Sequence, residues 1–354
     1  MQKYTEIQRA PVNTDIKVAL VAAASNEAAY VVDWVFHHLH FGFAPLLVYV
    51  NRSQDGTEAI LRKLAETVPE LRVTNIDDVD TDTNGQAPQR TAFERAIARM
   101  KSEQGKDDYT MLADIDEFWT PADFTSTIQQ VLVAAGLPAS ATFNWFQLTS
   151  DTVAFGPTFA PQITGVHHKL VKAAFRSRLW LRHFNMHGVR PMLPRRIWNA
   201  SGGRITAKTW FETPEAPDNH GTAFITHRLY RSPLEYLAIL GRGRPDFPGL
   251  LFKDNRFGYH DLIHRDRTEV TFLLPARQLQ DYERGRIEFL AKQSIEPLQK
   301  LAQQSVIDRA RDVLTKQQAL SHGDKLIWKE QFRWLNLRDL SRNLARLPGG
   351  SEGV

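Results

Sequence analysis

The chain of 354 residues contains no cysteine, which excludes disulfides, thiol nucleophiles and Cys-ligated zinc. Long hydrophobic runs are missing too. The longest apolar stretch near the start, Val18 to Ala24, is far shorter than the ~20 residues that a membrane-spanning helix needs. The opening Met1-Gln2-Lys3-Tyr4-Thr5-Glu6 has no signal-peptide core. Together these absences predict a soluble protein of the cytoplasm. Neither G-x-G-x-x-G nor G-x-x-x-x-G-K-[ST] occurs, which disfavours a dinucleotide-binding Rossmann enzyme and a P-loop ATPase. There is no internal repeat. The net charge is only +4, a small excess that suits anionic ligands without specifying one.

What is present is an ordinary globular composition, 42% hydrophobic and 24% charged, long enough for one large domain or a domain with an appendage. Lys17 to Ala24, Leu46 to Val50, Leu71 to Ile76 and Tyr109 to Leu112 read as buried strands, separated by helical patterns about thirty residues apart. The first helix carries Tyr30, Val31, Trp34, Val35 and Leu39 on one stripe and ends near Gly42. His37, His38 and His40 are expected on its outer face or end, as structural residues. Strands alternating with helices predict an α/β fold with a mainly parallel sheet covered on both faces. Ligands of such sheets bind beyond the carboxyl ends of the strands. Three polar clusters fall there: Ser25-Asn26-Glu27, Asn51 to Asp55, and Asp114-Ile115-Asp116-Glu117. The last crowds three carboxylates at a strand end, before Thr120-Pro121 stops the strand. Such crowding favours a hard divalent cation, although a D-x-D pattern read alone is more often a solvated acidic turn.

In this order and spacing the clusters, with Gln89-Arg90 opening a helix, resemble a family 2 type glycosyltransferase of GT-A fold. More narrowly they are similar to the branch related to family 92, whose opening segment is matched here by Asn26-Glu27, Tyr30, Trp34, His38 and Gly42-Phe43. The resemblance covers residues 17–125 and continues more loosely to about 245. It implies a nucleotide-sugar donor, a UDP-sugar favoured, held by Ser25, Asn26, Glu27, Asn51, Asp55, Gln89, Arg90 and Asp114. It also implies Mn²⁺ or Mg²⁺ on Asp114 and Asp116, and transfer with inversion to a hydroxyl of a glycan or lipid-linked acceptor. The family usually has an aspartate where this chain has Val50.

The second half adds candidates. His227, in a segment similar to the family's H-Y-x-x-[KR]-S-x-x-E-[FY], and His187 are candidate third metal ligands. Asp151 and Glu212 are candidates for the general base that deprotonates the acceptor. Thr142 to Leu148 reads as a strand that either lines the pocket with Asn144-Trp145 or serves the core. Arginine and aromatics interleave over 167–191, but the acidic strand end and the modest charge argue against a nucleic-acid partner. From about 275 the pattern turns helical. Two readings stay open for these helices: amphipathic helices lying peripherally on the inner membrane face, or a packed appendage or homo-oligomer contact. The expected division is an extension over 1–16, a catalytic domain over 17–265, helices over 266–347 and a tail over 348–354. Two rival functions remain: a catalytically silent carbohydrate-binding or scaffold protein, and a nucleotidyltransferase.

Overall fold

The computed structural model describes residues 16–79, 88–206, 208–243, 250–265 and 267–347. The expected N-terminal extension (apart from Ile16) and the tail lie outside them. The strands are β1 (Val18–Ala24), β2 (Leu46–Val50), β3 (Leu71–Asn75), β4 (Tyr109–Leu112), β5 (Glu117–Pro121), β6 (Ser140–Leu148), β7 (Gln162–Arg176), β8 (Leu181–Phe184), β9 (Val189–Pro191), β10 (Ile197–Asn199), β11 (Ala223–His227) and β12 (Val270–Leu273). The helices are α1 (Val31–His40), α2 (Thr57–Ala65), α3 (Pro88–Glu103), α4 (Ile128–Ala134), α5 (Pro233–Leu240), α6 (Ala276–Gln293), α7 (Glu296–Ala319), α8 (His322–Ile327) and α9 (Leu337–Arg346).

The main sheet runs β3-β2-β1-β4-β7-β6-β11-β5, with β10 added on β6 and β12 on β7. It is parallel through β3, β2, β1 and β4 and mixed beyond them, the α/β class expected. The apolar run of β1 explains its central place. Side chains alternate along a strand, so Val18, Leu20, Ala22 and Ala24 enter one core while Ala19 and Val21 enter another on the opposite face. The first core is covered by α1, α2 and α5 and by the C-terminal helices. The second is covered by α3, through Ala92, Phe93, Ala96 and Met100.

α1 ends as its sequence predicts. Gly42 takes φ +89°, and the Gly42 and Phe43 amides donate to Leu39 and His38 carbonyls, satisfying the helix end. Two of its histidines do not lie on the outer face. His37 and His38 are fully buried: His37 Nε2 lies 2.8 Å from the Trp119 carbonyl, and His38 Nε2 accepts the Trp119 amide at 3.3 Å. They bind helix to strand β5, and burial lowers the pKa of His38 to about 3, keeping it neutral. Only His40 is exposed.

The C-terminal helices share the first core. Tyr282 of α6 and Ala302, Val306, Ala310 and Val313 of α7 are buried in the same cluster as β1. α9 turns its leucines inward, with Leu340 and Leu344 buried. Among the described residues no helix is long and apolar enough to cross a membrane.

One boundary differs from expectation. The strand preceding the acidic motif ends at Leu112, and the motif is a turn rather than a strand end. Glu117 to Pro121 then forms a separate strand, β5, which departs from β4 and pairs antiparallel with β11 at the far edge. Thr120-Pro121 does not stop a strand; it completes this one, where an edge position tolerates proline.

Candidate active site

The first half builds one wall from three loops at the carboxyl ends of β1, β2 and β4. Asn26 sits in the left-handed region at φ 56°, a conformation asparagine tolerates, and its loop is held by the next one. The Asn26 amide donates to Ser53 Oγ (3.1 Å), Glu27 to Thr57 Oγ1 (2.8 Å) and Ala28 to Asp55 Oδ2 (3.0 Å). Asp55 therefore braces the Asn26 loop and the start of α2 rather than facing a ligand. Helix α2 begins after Gly56, and Asp55 Oδ1 accepts the amide of its first residue, Thr57, at 3.1 Å. Asn51 is buried at the end of β2, donating to the Ile76 carbonyl at 3.2 Å. Val50, where a carboxylate is usual in the resembling family, points into the first core.

The acidic turn is clamped from below. Trp34 Nε1 donates to the carbonyls of both Asp114 (3.0 Å) and Glu117 (3.1 Å), so a residue read as part of an apolar stripe also fixes the turn. The two aspartates differ in surroundings. Asp114 accepts Gln89 Nε2 at 2.6 Å and Lys172 Nζ at 3.2 Å. Lys172 also lies 2.7 Å from Glu117, with both of those side chains fully buried. Burial opposes ionisation at each. Asp114 and Glu117 outweigh it for Lys172 and keep that ammonium charged, whereas burial holds the Glu117 carboxyl up to about 7 against the attraction of Lys172. Asp116 meets a histidine instead. Its Oδ2 lies 3.6 Å from His227 Nε2. Burial would raise its pKa, but His227, Arg231 and Arg256 outweigh that and hold it well below the usual carboxylate range.

Pairing within the sheet brings His227 there. β11 lies between β6 and β5, in a register that sets His227 opposite Glu117 on one side and Gln147 on the other. The β6–β7 register shifts here, the two steps from Asn144 to Phe146 facing four from Val171 to His167, so the bulge lies on β7. Half-buried Trp145 packs against the first core on the same face as Phe143. Phe143 stays in the core, while Trp145 packs at 4.2 Å from His227 and 5.0 Å from His187. Burial first, then the nearby Lys172 and His227, lowers the His187 pKa to about 3.

The opposite wall is cationic. Glu27 accepts Arg231 Nη2 at 3.0 Å and Arg242 Nη1 at 2.7 Å, and the Arg231 guanidinium lies 3.5 Å over the Tyr30 ring. Arg242 also donates to the Ser25 carbonyl. Lys253 and Arg256 complete this side, and burial lowers the Lys253 pKa to about 7, helped by the nearby Arg256 and Arg242. Together the walls enclose a cavity of about 500 Å³.

Of the expected site residues, Ser25, Asn26, Glu27, Asn51, Gln89, Asp114, Asp116, His187 and His227 all line this cavity. Arg90 does not. It follows Gln89 on α3, so it points about 100° away, pairing with Glu94 at 3.1 Å and lying over Phe184. Asp151 and Glu212 are spent elsewhere. Asp151 forms a buried pair with Arg228 at 2.6 Å, and Glu212 pairs with Lys169 at 3.0 Å; neither lines the cavity. The four expected metal ligands share the cavity without converging: among the described residues no group of three or more His, Asp or Glu could hold an ion. Asp116 Oδ2 and His227 Nε2, 3.6 Å apart, still fit a cation completed by substrate oxygens, and a carboxylate with an imidazole suits Mn²⁺. Sequence reasoning names none of Arg231, Arg242, Lys253 and Arg256 as site residues. The closely spaced Arg231, Arg242, Lys253 and Arg256 were the available signal.

Residues 18–155 match the model of glycosyltransferase family 92. That span carries the whole acidic wall and supports a glycosyltransferase. No curated protein matches the chain. Among solved structures it is similar to S. aureus TarS 1–349 in complex with UDP, at 12% identity and a TM-score of 0.31, over 46% of this chain and 47% of that one. It thus spans about half the length of the TarS chain. It is also similar to the mannosyltransferase PcManGT from Pyrobaculum calidifontis in complex with GDP-Man and Mn²⁺, at 14% identity and a TM-score of 0.33, over 96% of this chain and 88% of that one.

Proposed function

We propose that the chain is a glycosyltransferase that takes a nucleoside-diphosphate sugar into this cavity and moves the sugar to a hydroxyl of a glycan or lipid-linked acceptor. The observation that carries the reading is the convergence of three strand-end loops opposite a wall of Arg231, Arg242, Lys253 and Arg256, within a chain whose first half matches a glycosyltransferase family. A diphosphate needs such a wall, because negative charge develops on it as it leaves. The acceptor oxygen bonds to the anomeric carbon while the bond from that carbon to the diphosphate oxygen breaks. The nucleoside diphosphate leaves with the electron pair, and the acceptor proton passes to a base. Attack from the face opposite the leaving group gives inversion. Mn²⁺ or Mg²⁺ on Asp116 and His227 would supply further neutralisation of the leaving group.

One observation favours a second reading, transfer without a metal. Asp114 is already satisfied by Lys172 and Gln89, and the cationic wall alone can oppose a diphosphate. The test is a thermal-shift screen of UDP-, GDP-, CMP- and dTDP-sugars, each with Mn²⁺ and with EDTA. Stabilisation by one donor that EDTA removes supports the metal-assisted form. Stabilisation that survives EDTA supports the metal-free form, and none with any donor overturns both.

A further inference from the structure

A second concavity lies at the other end of the sheet. It opens beside the start of β4 and the end of β7, remote from Asp114, and encloses about 860 Å³. Its rim is unlike that of the active-site cavity. Trp180, Met192 and Leu193 stand 69%, 53% and 61% exposed, and Lys106, Arg178, Arg195 and Arg196 surround them. Among the described residues none of those lining it is acidic. The local sequence has the same bias: residues 176–196 contain six arginines and no aspartate or glutamate. Trp180 is further held beneath Lys101, whose ammonium lies 4.5 Å from the ring.

We propose that this patch docks the protein on an anionic phospholipid surface. Exposed large apolar groups side by side are costly in water and mark a contact surface. A tryptophan and two aliphatic side chains ringed by arginine suit the boundary between headgroups and acyl chains, where the apolar groups insert and the guanidiniums meet lipid phosphates. A single-stranded nucleic acid would satisfy the charges, but Met192 and Leu193 offer no flat face on which bases stack. Helix α9 is a poorer candidate, because it spends Leu340 and Leu344 on the core. The inference stands independently of the transfer reading, since no residue of the patch lines the active-site cavity.

Co-sedimentation of the full chain with phosphatidylcholine vesicles, with and without phosphatidylglycerol, tests it. Binding is expected only with phosphatidylglycerol, with release at ~0.5 M salt, where charges are screened over a few ångströms. The double variant Arg195→Gln/Arg196→Gln should partition about 25-fold less, at roughly fivefold per basic residue. Leu193→Ser should also bind more weakly, with melting temperature and donor-induced stabilisation unchanged in both variants. Equal binding to both vesicle types, or variants that partition like the parent, would overturn the proposal. So would retention of the protein on single-stranded RNA in the absence of any vesicle binding.

Discussion

The two walls of the cavity come from two halves of the chain by different routes. The acidic and amide groups arrive on loops directly after β1, β2 and β4, each a few residues beyond a strand that any parallel sheet would place there. The aromatic and cationic groups arrive through non-local structure: the pairing of β6 with β11, the end of β11, and the turns around α5. The first wall is built by chain direction, the second by strand pairing. A functional carboxylate can therefore be positioned by its own neighbours in sequence, whereas its counter-charges depend on the whole sheet being correctly assembled.

The sharpest way to break the comparison is at Asp116, where the walls meet. Asp116→Asn should lower transfer about 10²–10³-fold, the usual cost of removing one preorganised charge, with an unchanged melting curve. Activity near the parent level in a turnover assay with the donor found by thermal shift would remove Asp116 from the mechanism.

Lys172 tests the dependence of the acidic wall on the second half. Lys172→Met leaves Asp114 and buried Glu117 facing each other, and should cost ~3–5 kcal/mol in urea unfolding. Pairing it with Glu117→Gln should restore much of that loss. A double variant no better than the single would mean that the ammonium acts by packing rather than charge.

Asp151→Asn should separate structure from chemistry. It strands the buried Arg228 and should cost about 3 kcal/mol of stability, while donor affinity stays within a factor of two or so. Loss of turnover without loss of stability would return Asp151 to the role of base.

The smallest effect is a pH dependence at Lys253. Its protonated form favours an anion, so UDP affinity measured by titration calorimetry should fall severalfold as pH rises through about 7. For the free protein the sign is opposite. A folded-state pKa below the unfolded value gives stability that is present above about 10.5 and lost as pH falls through about 7. Lys253→Met should flatten both profiles.

The legibility of the sequence follows the same division. Period and apolar runs locate β1, β2, β4, α6 and α7, and the strand-end rule finds Asn26, Asn51, Asp114 and Asp116. The rule could not say that Glu117 begins a second strand, because a buried β-rich stretch looks alike on either side of the acidic turn. Nor could it tell that His37 and His38 face inward, since imidazole suits a helix surface as well as a carbonyl partner in the core. Asp151 and Glu212 suit a general base by residue type, but residue type says nothing of partners distant in sequence, and Arg228 and Lys169 pair with them. Lys253 and Arg256 lie in an irregular stretch with no period from which to read direction.

The antiparallel register of β5 on β11 bears on how the protein comes off the ribosome. Among the described residues β5 has no other strand neighbour in the sheet, so until Ala223–His227 has emerged its edge lacks that partner and His227 is still unmade. Arg231, Arg242 and Arg256 follow later still. A nascent chain presents both aspartates of the family-matched segment long before the cationic wall opposite them exists. Any gene fragment that stops near residue 155 would encode a domain with half a binding site and an exposed strand prone to finding the wrong mate.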